Sequence, residues 1–335
     1  MKAFLAFAFF FLGLFSSAYA YRPVTDEKLA EIIKSFDYTP NVRMLRSGTA
    51  SCSPQDIEYG TTYPQRDSEL NVKAKTFIPT TQSGPVPLVF MLPPLGGANQ
   101  LDLMMGDTLC KNGIAAFLIT TNMNGLDSPT LVPVTDHDQT HRRVAAAIKA
   151  GIIIARTYPQ INTEKLGLFG ESLGGILGSV AYSVLPELSA GTFIVNGGNV
   201  PHILATSDQS PVIKLKNDRM KEQGFTTVDQ YENYLNENLE IDPLHFTKII
   251  NPDTVKFFLS KVDKSVPTVD QMAYYNALGQ PKETRFYMVS HAETIVAVMA
   301  IGSGKQQITD WFKSRFALPN PRLNPDINES LKFRF

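Results

Sequence analysis

Ser172 stands in the run Gly170-Glu171-Ser172-Leu173-Gly174, between the apolar stretch LGLF and the helix-like LGGILGSVAYSVLP. A glycine inside a helix costs roughly 1 kcal/mol relative to alanine. Glycines crowded around one serine therefore need a steric reason. A serine on a tight strand-to-helix turn exposes its hydroxyl on a strained backbone, and its neighbours must be small to clear the strand and the helix. The turn also sets the serine at a helix N-terminus, where backbone N–H groups favour developing negative charge. A hydroxyl is a weak nucleophile. It needs a base, and a third group to orient that base.

A G-x-S-x-G turn in this context resembles the nucleophile elbow of α/β-hydrolases, in which the chain order is serine, then acid, then histidine. Of five histidines, His202, His245 and His291 follow Ser172. His202 and His245 flank a segment that interrupts the alternation of strands and helices. His291 comes directly after TRFYMVS, at a strand's end and before the last helix, where a triad base belongs. Asp263 lies three residues past Ser260 in VKFFLSKVDKSVPT, with Val266-Pro267 following. That layout puts its carboxylate on the sheet edge that carries Ser172 and His291. Asp253, before the strand, and Asp270, on the helix after it, are weaker candidates. Two N–H donors are needed for the oxyanion. One is expected from Leu173 and the second from the loop PPLGGANQ after PLVFML. Pro93 and Pro94 have no N–H, so Leu95 is the first available donor, with Gly96 as the alternative.

These residues need a scaffold to bring them together. Residues 26–36 are amphipathic and read as a lead-in helix. Residues 56–63 and 69–79 alternate apolar and polar, as half-exposed antiparallel strands do. Residues 87–92 form a continuous apolar run, expected of a strand covered on both faces. Helix is then expected at 101–111, 141–158, 173–185 and 268–278, and strand at 114–120, 166–169, 192–195, 255–260 and 284–289. The last helix, 295–316, has Gly302 and Gly304 as interruptions. Short apolar strands alternating with helices argue for a parallel sheet. Residues 200–251 hold no strand candidate and read as a helical insertion that covers the site.

PLVFMLPPLGG, KLGLFGESLGG, FFLSKVDKSVP and YMVSHAET together make residues 56–318 similar to α/β-hydrolase-fold serine hydrolases of the esterase, lipase and dienelactone-hydrolase-like kind. The resemblance implies an α/β fold with a mostly parallel central sheet, helices on both faces and a helical insertion before the last two strands. It also implies an acyl-enzyme mechanism on carboxylic esters, with no metal and no organic cofactor. Ser172, Asp263 and His291 would form the triad. Leu173 and Leu95, or Gly96 in place of Leu95, would form the oxyanion hole, and Gly170, Glu171 and Gly174 would complete the elbow. Pro93-Pro94 stand where many members have His-Gly, and the nucleophile is serine where dienelactone hydrolases use cysteine. An amidase or peptidase of the same fold, or a non-catalytic ligand-binding relative, is the alternative.

The bulk numbers agree with small or neutral partners. The 335 residues carry a formal net charge of -1, and scattered basic residues offer no stripe for nucleic acid. An ester or lipid substrate, with transient contact to a lipid surface, fits this balance. His137 and His141 are spaced i, i+4, but Gln139 and Thr140 stand where H-E-x-x-H would place a glutamate, so no metal site is expected. Residues 1–20 read as a signal peptide, with Lys2, an apolar run and Ala18-Tyr19-Ala20 at the cleavage point. Residues 21–55 are a lead-in segment and 319–335 a tail. Export, to periplasm or medium, would put Cys52 and Cys110 where a disulfide is allowed. Sequence leaves open whether the two pair.

Overall fold

The computed structural model describes residues 21–63, 66–122 and 131–319. The expected signal peptide and all but the first residue of the expected tail lie outside them. In chain order the elements are α1 (Asp26–Lys34), β1 (Val42–Arg46), β2 (Gln55–Tyr63), β3 (Arg66–Phe77), β4 (Val86–Leu92), α2 (Gln100–Lys111), β5 (Ala115–Ile119), α3 (Asp136–Ala155), β6 (Ile161–Glu171) and α4 (Leu173–Val184). Then come β7 (Leu188–Ile194), α5 (Val200–Thr206), α6 (Ser210–Gln223), α7 (Val228–Asn238), two 3₁₀ turns (Pro243–Ile249 and Pro252–Thr254), β8 (Val255–Ser260), α8 (Thr268–Ala277), β9 (Thr284–Tyr287), α9 (His291–Val296) and α10 (Gly304–Phe316).

The nine strands form one sheet in the order β1-β2-β3-β5-β4-β6-β7-β8-β9. The pairs β1–β2, β2–β3 and β3–β5 are antiparallel, and the remaining five are parallel. This is the doubly wound, mostly parallel α/β-hydrolase arrangement. β4 shows why it needs helices on both faces. Leu88, Phe90 and Leu92 enter a core with Ile148 of α3 and Val180 of α4. Val89 and Met91 enter another with Leu109 of α2 and Phe312 of α10. A strand buried on both sides reads as a continuous apolar run, which is what residues 87–92 show.

The differences from sequence expectation have local causes. β1 falls in the lead-in segment, where no strand was expected. Its residues VRMLR half-bury Val42 and Met44 while Arg43, Leu45 and Arg46 are exposed, so the period-two signal spans only two turns of the pleat. α3 starts at Asp136, five residues earlier than expected, with Asp136 and Asp138 in its first turn. Acidic side chains there oppose the helix dipole favourably. The final helix is broken, as its glycines suggested: α9 runs into a π-helical turn (Ala297–Ile301), and α10 restarts at Gly304. Cys52 and Cys110 are joined, with Cα atoms 5.5 Å apart, tying the segment before β2 to the end of α2.

Candidate active site

The elbow forms where β6 ends. Ser172 has φ 54° and ψ −122°, a conformation that L side chains rarely adopt. Its N–H donates to Ile194 O at 2.9 Å, clamping the turn to the end of β7. The two outer glycines of the motif are steric requirements. A Cβ on Gly170 would lie 2.3 Å from Gly174 O, and a Cβ on Gly174 would lie 2.3 Å from Leu92 O. Val195, one residue past the strand that holds the turn, is also left-handed at φ 45°. Strain of this kind persists only where surrounding structure enforces it.

Each partner of Ser172 arrives from the end of a parallel strand. His291 Nε2 lies 2.8 Å from Ser172 Oγ, and His291 Nδ1 lies 2.7 Å from Asp263 Oδ2. His291 opens α9. Ser290 caps that helix, and Glu293 accepts from the Ser290 N–H at 2.9 Å, closing a capping box. Asp263 follows β8 in a tight turn. Its Oδ1 accepts from the N–H groups of Ser265 and Val266 at 2.8 and 3.1 Å. Its Oδ2 also accepts from Gln271 Nε2 at 2.7 Å. The carboxylate is fully shielded, and every approach to it is a donor.

Gln271 was not foreseen. Besides donating to Asp263, its Oε1 accepts from the Ser260 N–H at 3.0 Å, locking α8 to the end of β8. An amide eight residues past the acid carries no local signal. The weaker acid candidates sit elsewhere. Asp253 lies in a 3₁₀ turn before β8. Asp270 pairs with His202 Nδ1 at 2.8 Å, so His202 is engaged with an acid of its own. His245 contacts the carbonyls of Glu240 and Arg22.

The residues expected to supply the oxyanion donors lie near the elbow. Leu173 is the first residue of α4, so its N–H has no carbonyl a turn behind it to bond. Gly174 is seated against the Leu92 and Pro93 carbonyls, which brings the end of β4 beside the elbow. The chain then turns at Pro94, where Gly97 N–H donates to Pro94 O at 2.9 Å. Leu95 lines the same cavity as Ser172 and Leu173, whereas Gly96 does not border it. That cavity opens to solvent and is walled by Ile176 of α4, Val200 and Ile203 of α5, and Val212 of α6. Residues 200–212 therefore form one side of it. They are pinned by Asp242, which accepts from the N–H groups of Asn199, Val200 and Leu244.

Glu171, the variable residue of the motif, is wholly buried near Asp102 of α2, and its Oε1 accepts from Asn99 Nδ2 at 3.5 Å. Burial pushes its carboxyl up to about 8, and the charge of Asp102 adds to the shift. Burial also pushes Asp102 up, to about 6, against the pull of the Asn99 N–H that it accepts at 2.8 Å. At neutral pH the pair holds one proton, so no second full charge sits beside Ser172. The native state keeps a proton that the unfolded chain would release above about 4.5, near the ordinary glutamate value. Stability from this pair is thus present below that value and is lost as pH rises toward about 8. Glu171→Gln keeps a hydrogen bond and has no proton to lose. Between pH 5 and pH 9 its melting temperature should fall about 2 °C or more less than that of the parent. Parallel declines in calorimetry would refute the retained proton.

No protein-family model matches the sequence, and no curated protein is similar to it. Solved structures do match in shape. Acetyl xylan esterase 1 from Thermoanaerobacterium sp. superposes with a TM-score of 0.62 at 14% identity, covering 86% of this chain and 92% of that one. An acetyl xylan esterase from Paenibacillus sp. gives 0.61 at 13% identity, covering 88% and 97%. The α/β hydrolase GrgF from Penicillium sp. gives 0.54 at 14% identity, covering 84% and 100%. At these identities the likeness establishes the α/β-hydrolase fold.

Proposed function

We propose that this chain is an exported serine hydrolase that cleaves carboxylic esters through an acyl-enzyme. One observation carries the reading: Ser172 Oγ, His291 and Asp263 form an unbroken hydrogen-bonded relay at the wall of a largely apolar cavity. In the proposed cycle Ser172 attacks the acyl carbon while His291 Nε2 takes the hydroxyl proton. The N–H groups of Leu173 and Leu95 stabilise the tetrahedral oxyanion. His291 returns the proton to the leaving alcohol, then activates water for deacylation. Asp263 holds Nδ1 and favours the imidazolium as it forms. The three hydrogen bonds that Asp263 accepts from the protein, besides its contact with His291, hold its carboxylate in position for that task. The largely apolar lining of the cavity suits an uncharged ester. The solved structures of the same fold include acetyl xylan esterases. Export is supported by the Cys52–Cys110 disulfide, a pairing that oxidising compartments allow.

Incubation with a fluorophosphonate should place one adduct on the tryptic peptide containing Ser172. Short-chain nitrophenyl esters should turn over, and the matching anilides should react far more slowly. Labelling at another residue, or ester turnover that survives complete modification of Ser172, would reject the reading.

A further inference from the structure

The cavity beside Ser172 has a second, polar wall that the acyl-transfer chemistry does not use. His137 and His141 stand one helical turn apart on α3, and both line the cavity together with Ser172. His141 is 3% exposed. Neither of its ring nitrogens has a hydrogen-bond partner among the described residues, and its Nδ1 is completely shielded. The half-buried His137 side chain likewise makes no hydrogen bond among those residues. A buried polar group left unmatched costs about 1–3 kcal/mol. His141 is such a group, and with His137 beside it on the wall of a cavity that adjoins a nucleophile it calls for an explanation. The other polar side chains of the wall bond elsewhere: Thr140 to Asp136 O, Gln209 to Ser265 Oγ, Ser265 to Asp208, and Ser207 to the Gln209 N–H.

Both imidazoles are neutral at ordinary pH. Burial drives His141 down to about 3, with His137 and Arg142 adding to it. Burial drives His137 down to about 4, opposed by Asp136 and aided by Arg219. The nearby charges are engaged elsewhere. Arg143 pairs with Asp136 at 2.7 Å, Arg142 reaches Ser35 Oγ at 3.4 Å, and Arg219 holds the Val132 carbonyl and Glu222. A neutral imidazole offers one N–H and one bare nitrogen. Two of them match a group that both donates and accepts, without requiring compensation for a charge.

We propose that His137 and His141 form a recognition pair for an uncharged hydroxyl carried by the part of the substrate that fills this cavity. The preferred ester is then apolar next to the scissile bond and hydroxylated further along. This rests on the esterase reading above. The test uses nitrophenyl hexanoate, octanoate and decanoate against their terminally hydroxylated counterparts. A parallel series of alkyl acetates varies the alcohol side in the same way. For at least one length in one series, the hydroxylated ester should show kcat/KM about tenfold above its plain partner, the worth of one or two hydrogen bonds between neutral groups. In His137→Phe/His141→Phe that ratio should fall to about one. A ratio near one throughout both series for the parent protein overturns the proposal, whatever the variant does. So does a ratio that survives the double substitution. So does a terminally carboxylated ester that outcompetes the hydroxylated one. In each of these outcomes the parent protein still turns over esters and still takes the fluorophosphonate on Ser172. Failure of the esterase reading shows differently, as no turnover of any ester and no adduct on Ser172, and it removes this proposal as well.

Discussion

Ser172→Gly should lose ester turnover by about 10⁴–10⁶-fold, the range seen when a triad nucleophile is removed, and should melt at a higher temperature than the parent. The two effects share one cause. The elbow holds Ser172 at φ 54° and ψ −122°, and a non-glycine residue kept in such a region costs of order 1–3 kcal/mol. Glycine has no Cβ and occupies the same geometry freely. The variant gives up the hydrogen bond to His291, worth about 1 kcal/mol, and gains more from released strain. Stability is sacrificed at this residue to present a hydroxyl, a trade common at functional sites. Ser172→Ala keeps the Cβ, so it should lose turnover without the stability gain. Measuring kcat and melting temperature for both variants separates the cases. Retention of more than about 1% of turnover, against the expected loss, would refute the role of Ser172. A Ser172→Gly variant that melts below Ser172→Ala would refute the strain argument.

Gly174→Ala should be among the most disruptive methyl groups that can be added near the site. The new Cβ would sit 2.3 Å from Leu92 O and 2.5 Å from Pro93 O. Both are backbone atoms, which cannot rotate away as a side chain can. The end of β4 and the start of α4 must separate, and that displaces the loop that carries Leu95. The expected cost exceeds the 1–3 kcal/mol usual for overpacking. In whatever fraction folds, kcat should fall about 10²-fold or more through loss of an oxyanion donor. Gly178→Ala is the control. One turn further along α4, its Cβ would meet only side-chain atoms, at 3.2 Å and beyond. Helix propensity there favours alanine by roughly 1 kcal/mol, so that variant should stay within about 1 kcal/mol of the parent in urea denaturation and keep its activity. Equal behaviour of the two variants would show that β4 does not constrain the elbow.

Much of this was legible along the chain, and the limits of that legibility have physical reasons. The elbow could be read because its constraint is local: three glycines and a serine within six residues, between an apolar run and a helical period. The parallel strands could be read because burial on both faces leaves a continuous apolar signature. Position relative to those strands singled out His291 and Asp263, and the structure does bring both to Ser172. Asp270 shows where that kind of reading weakens. It lies only seven residues from Asp263 and on the same side of the sheet, yet its carboxylate is committed to His202. Only the path of the loop after β8 separates the two.

Sequence by itself determined the architecture and the three side chains on its rim, because chain order, strand period and small-residue turns act over a few residues and survive without knowledge of neighbours. Tertiary structure alone decided the rest: the joining of Cys52 to Cys110, the burial of Glu171 near Asp102, the bracing of Asp263 by Gln271, and the placing of His137 and His141 on the cavity wall. Each of these depends on residues from separate elements meeting at distances of a few ångströms. Those meetings are set by how helices settle against the sheet, a property of packing that leaves no periodic trace in the order of amino acids.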